Sequence, residues 1–106
     1  MDNIHSFLFG IGVPVSTKGF DYLHDAIKML MDDYSWKGKT CELYKEIGKN
    51  YNVTHTSVER CMRHSIESCF DAENIDNLST IFGEKNTSKG SIKNSEFIAI
   101  SALYLK

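Results

Sequence analysis

A single proline, Pro14, interrupts 106 residues. All-β domains and disordered or proline-rich segments need more breakers than this. A chain so rarely broken is free to run in helices, and the expected fold class is all-α. The length suits one domain. With 42% hydrophobic residues, it has enough apolar side chains for one core without disulfide or metal staples.

Apolar spacing divides the chain into about six helices. Asp2 or Asn3 caps a first helix carrying Ile4, Phe7, Leu8 and Ile11, and Gly12-Val13-Pro14 ends it. Ser16 or Thr17 caps a second, whose stripe is Phe20, Leu23, Ile27, Leu30, Met31 and Tyr34. Thr40 caps a third over about 41–50, with Leu43 and Ile47 inward. Thr54 or Thr56 caps a fourth, and Thr56 with Glu59 has capping-box spacing. A fifth carries Ile75, Leu78, Ile81 and Phe82, with Gly83 at its C′ position. Residues 84–93 read as a mobile polar loop. Asn94 or Ser95 then caps a last helix with Phe97, Ile98, Leu103 and Leu105.

The net charge of −2 conceals a gradient. Residues 1–36 balance at −3, residues 37–63 at +3 and residues 64–106 at −2. Both arginines, Arg60 and Arg63, fall in the basic centre. Three cysteines without CxxC spacing read as reduced thiols of a cytoplasmic protein. The acidic start Met1-Asp2-Asn3 is unlike a signal peptide, and no apolar run spans a bilayer.

The informative stretch is Glu46 to Cys61. A helix-turn-helix needs a small residue near the helix crossing and apolar plugs on both sides of a short turn. Gly48 supplies the first; Ile47, Tyr51, Val53, Val58 and Cys61 supply the second. A plain helical hairpin has the same spacing. On the fourth helix, about 56–70, Val58, Cys61, Met62, Ser65 and Cys69 share one face. Thr56, Arg60, Arg63, Glu67 and His64 share the other, with Ser57 and Glu59 at the flanks. Arginine can fork onto guanine and glutamate can accept from cytosine. Lys49, Thr54 and Thr56 are placed for phosphates. The alternative is that Glu59–Arg63 and Arg63–Glu67 are ordinary surface pairs.

These residues carry a resemblance. Ile11-Gly12-Val13-Pro14, Lys18-Gly19-Phe20, Tyr44-Lys45-Glu46-Ile47, Val58-Glu59-Arg60, Arg63-His64, Asn74-Ile75-Asp76, Ile81-Phe82-Gly83 and Asn94-Ser95-Glu96-Phe97-Ile98-Ala99 run in order along the chain. Together they resemble the C-terminal DNA-binding effector domain of the sporulation response-regulator family, stage zero sporulation protein A. The resemblance implies a compact six-helix bundle containing a helix-turn-helix, and specific binding to double-stranded promoter DNA. It also implies head-to-tail self-association on tandem sites and contact with an RNA polymerase sigma factor. Glu59 and Arg60 match the base-reading pair; Arg63 and His64 match residues of the same helix. The expected interface is therefore Lys49, Thr54, Thr56, Ser57, Glu59, Arg60, Arg63 and His64.

Departures from the family pattern are local. Ser57 stands where the family usually has arginine, and Asp71-Ala72-Glu73 turns a usually basic region acidic. The sequence stops at Leu105-Lys106, short of the basic tail the family often carries, and with no receiver domain before Met1 in the sequence the expectation is either an excised effector domain or a stand-alone relative. The reading is of a single effector domain over residues 1–106.

Two other function classes compete. An enzyme would need an activated nucleophile or base, and His5, His24, His55 and His64 have no such neighbours in sequence. Cys61 and His64, three apart, fall on different helix faces and fit no metal site. No cofactor or metal is expected. Trp36 reads as a core anchor, with base stacking as the alternative. The other class is a diverged helix-turn-helix acting as a protein-interaction module with little specific DNA binding; Ser57 and the net charge favour it.

Overall fold

The computed structural model describes residues 2–70, 75–83 and 92–106. Asp71-Ala72-Glu73, Asn74, the Ile75 and Asp76 side chains and most of the polar loop lie outside the described residues. Six helices are present: α1 (Asn3–Gly10), α2 (Lys18–Asp32), α3 (Thr40–Tyr51), α4 (His55–Cys69), α5 (Ile75–Phe82) and α6 (Asn94–Leu105). The fold is all-α, as the single proline implied.

Capping starts α1. The Asp2 carboxylate accepts the His5 N–H at 2.7 Å, satisfying one orphan donor of the first turn. Pro14 organises the next turn. Its carbonyl accepts the Thr17 N–H at 3.2 Å and the Thr17 hydroxyl at 2.7 Å. Thr17 occupies the N-cap of α2, but its side chain makes no capping bond there. It reaches across to the Ser65 hydroxyl of α4 at 2.9 Å instead.

Helix α2 is the hub, packing against α1, α3, α4 and α6. Its stripe Phe20, Leu23, Ile27 and Leu30 is buried. Side chains buried this completely contribute roughly 1.5–3 kcal/mol each. Gly19 lets α2 lie against α4: a Cβ there would collide with the Cys61 carbonyl and the Ser65 hydroxyl. The helix stops at Asp32, earlier than its apolar spacing suggests. Asp33 turns extended, and its carboxylate accepts the Ser35 N–H at 3.0 Å. That local bond competes with helix continuation and opens a 3-10 turn over Tyr34–Trp36. Tyr34 therefore leaves the α2 stripe, and it and Trp36 pack half-buried against the core.

Gly83 follows α5 with φ +89°, the left-handed C′ geometry expected of it. Phe82 stacks on Phe97 of α6, with ring centroids 4.9 Å apart. The start of α6 differs from expectation. Lys93 holds the cap position, and its N–H donates to the Glu96 carboxylate at 3.4 Å. Asn94 is the first helical residue and is buried. Leu103, expected in the core, is exposed with Phe9 and Tyr104.

Candidate nucleic-acid interface

Helices α3 and α4 meet through the turn Asn52-Val53-Thr54. Asn52 adopts the left-handed conformation, φ 58°, which asparagine tolerates better than most residues. Its N–H and that of Val53, the latter at 2.8 Å, both donate to the Gly48 carbonyl. The chain thus folds back tightly over Gly48. A Cβ at that position would stand 2.6 Å from the Val53 carbonyl oxygen. The small residue expected at the crossing is there for this reason.

Ile47 and Val58 are fully buried on the two sides of the turn, while Val53 and Cys61 are half-buried. Tyr51 is not a plug. It lies at the end of α3, 41% exposed, with its ring edge-on to Tyr22. Its hydroxyl donates to Asp25 at 2.6 Å. A phenol that needs a partner for its hydroxyl is better placed at the margin than inside.

The cap of α4 is Thr54, whose hydroxyl accepts the Ser57 N–H at 3.1 Å. This settles the choice between Thr54 and Thr56, and the Thr56–Glu59 capping box does not form. Glu59 instead accepts from Arg63 Nη2 at 2.7 Å. A helix that starts at His55 puts Glu59 in its second turn, beyond reach of the cap. Thr56 is left free on the outside.

Burial along α4 follows the expected faces. Val58, Met62, Ser65, Ile66 and Cys69 are buried. Thr56, Arg60, Arg63 and His64 are exposed, whereas Ser57, Glu59 and Glu67 are half-buried at the margins. Arg60 joins no ion pair among the described residues. Arg63 is half-neutralised by Glu59, a surface pair worth roughly 0.2–0.5 kcal/mol and easily exchanged.

Lys49 and Thr54 are exposed as expected. Lys49 lies off the α4 face, in a shallow groove with Lys45, Val53 and His55. On the other flank of α4, Thr40, Cys41, Lys93 and Ser95 join His55, Glu59 and Arg63 around a second open groove of about 510 Å³. These flanking residues were not among the expected site residues. Lys93 and Ser95 arrive from another helix start, and no local spacing signals that.

A polar cluster braces the end of α3 from behind. In its charged form His24 donates from Nε2 to Asp2 at 2.7 Å and from Nδ1 to Asp25 at 3.2 Å. Burial disfavours the charged imidazole, but the bonds to the two carboxylates outweigh it and raise its pKa. Asp25 also receives the Tyr51 hydroxyl. Burial and that acidic neighbour together push the Tyr51 pKa well up.

A protein-family model described as "Sporulation initiation factor Spo0A C terminal" matches residues 4–105. The match covers all six helices.

Proposed function

The chain belongs to the sporulation initiation factor Spo0A C-terminal family, and from that premise we propose that it reads promoter DNA with α4. The family is that of a DNA-binding effector domain. The observation that carries the finer reading is the outer face of α4, where Thr56, Arg60, Arg63 and His64 stand exposed together. A recognition helix enters the major groove with its N-terminal residues toward base edges. Arg60, without an ion-pair partner among the described residues, is free to fork onto guanine O6 and N7. Glu59 accepts from a cytosine amino group once Arg63 exchanges it for a phosphate.

Thr56 and Lys49 meet the backbone. So does Thr54, whose hydroxyl accepts from Ser57 and keeps its own proton to donate. Ser57, half-buried, contributes only a short contact where the family usually has arginine. In this proposal α3 crosses the backbone while α4 reads. Head-to-tail pairing on adjacent sites and contact with a sigma factor belong to the same proposal. Exposed Phe9, Leu103 and Tyr104, away from α4, supply apolar surface suited to protein contacts. No helix among the described residues is long and apolar enough to cross a membrane.

Gel retardation tests the reading. A labelled duplex with tandem family sites is expected to shift at low salt, and a scrambled duplex is expected to shift far less. Arg60→Ala should lose about 1–3 kcal/mol of specific binding while remaining folded. Equal binding to both duplexes, or full affinity in Arg60→Ala, contradicts the proposal and favours a protein-interaction module.

A further inference from the structure

Behind the reading face, one buried polar side chain joins two helices. Asn94, the first residue of α6, is only 6% exposed. Its Nδ2 donates to the backbone carbonyl of Glu59 at 3.0 Å, across 35 positions of sequence. A buried amide that leaves its own helix end to grip another helix's backbone is costly to leave unpaired. It therefore tolerates few alternative packings.

The grip falls on a particular residue. Glu59 shows its carboxylate to the outside, paired with Arg63, and its neighbour Arg60 is exposed. A helix carbonyl has two lone pairs and already serves the N–H four residues on, so the Asn94 bond adds to the helix without breaking it. A polar bond is directional, whereas the apolar contacts of Val58 and Met62 against the core are not. Apolar packing alone resists rotation of a helix about its axis less sharply than a directed bond does.

We propose that Asn94 is a specificity-determining positioning residue, which sets the rotation of α4 against α6 so that Glu59 and Arg60 face the same base pairs in every complex. This rests on the DNA-reading role proposed for α4. Base contacts demand placement to a fraction of an ångström, while phosphate contacts tolerate more. Loss of the Asn94 bond should therefore reduce discrimination between sequences and leave non-specific binding nearly unchanged.

Two substitutions separate this role from a merely structural one. Asn94→Asp keeps the shape and places a negative charge in the first turn of α6, where the helix dipole welcomes it. It also removes the donor facing the Glu59 carbonyl. Asn94→Leu replaces the amide with an uncharged side chain of similar size that cannot donate. The experiment measures binding of the whole chain to a tandem-site duplex and to a scrambled duplex across a salt series, after circular dichroism has verified folding. In Asn94→Asp the ratio of the two affinities should fall about tenfold, on the scale of one misplaced base contact. Asn94→Leu should show the same fall in the ratio, and because it adds no charge its affinity for the scrambled duplex and its salt slope should stay at parent values.

If either variant folds and discriminates like the parent, or if in Asn94→Leu both affinities fall together, the positioning role is overturned. Should Asn94→Asp fail to fold, Asn94→Leu alone decides, with undiminished discrimination counting against the proposal. A parent that does not discriminate at all refutes the DNA-reading role itself, a distinct outcome.

Discussion

His24 is held between the carboxylates of Asp2 and Asp25, and this small cluster makes the fold sensitive to pH. Folding raises the affinity of His24 for a proton. Its contribution is therefore complete below the unfolded value of about 6.5 and is lost as pH rises through the folded one. Asp2 works the other way. The His5 N–H and His24 lower its pKa, so its contribution is present above the ordinary aspartate range and lost on acidification. Thermal unfolding followed from pH 5 to 8 should show stability falling across the upper part of that range. In His24→Gln the decline should be flatter; equal slopes in both would show that the cluster contributes nothing. At α4, Thr54→Ala should cost about 1 kcal/mol of stability because it removes a working cap. Thr56→Ala, which caps nothing, should unfold within about 0.5 kcal/mol of the parent, although it binds DNA less well. The two threonines were indistinguishable in sequence, since each precedes the same apolar run. Only the actual start of α4 decides which hydroxyl turns inward.

At the scale of elements, the helices were legible where apolar spacing and a breaker agree, as for α1 with Pro14 and for α5 with Gly83. The errors sit where a short side-chain bond overrides the spacing. Asp33 captures the Ser35 N–H and ends α2 before Tyr34. Asn94 turns into the core and bonds Glu59 instead of capping α6. Ser35 lies two residues from Asp33, but apolar spacing alone does not register such a bond; the partner of Asn94 lies 35 positions away, beyond any local pattern. The exposed face of α4 was legible because its exposed and buried residues alternate with the helix period, whereas the grooves beside it are assembled from distant segments. Gly48 shows how tightly the turn is specified. Gly48→Ala gains helix propensity worth roughly 1 kcal/mol, yet its Cβ meets the Val53 carbonyl, a backbone atom that cannot swing aside. Denaturant unfolding should find it destabilised by about 1–3 kcal/mol. Gly10→Ala, with open space around its Cβ, should be neutral or stabilised. If Gly48→Ala were the more stable of the two, the close turn would be refuted.

For the whole molecule, the charge of −2 is an average over acidic ends and a basic centre, and the basic centre coincides with α3, the turn and the first half of α4. The repulsive ends weaken non-specific attraction to a polyanion, so binding should depend on base contacts and on paired sites. The decisive question is which surface meets DNA. Amide and side-chain NMR shifts of the isotope-labelled chain, titrated with a tandem-site duplex, measure this directly. The predicted result is that the largest changes fall on Thr56, Arg60, Arg63 and His64, with smaller ones at Lys49 and Thr54. Changes centred instead on Phe9, Leu103 and Tyr104, with α4 unmoved, would contradict it.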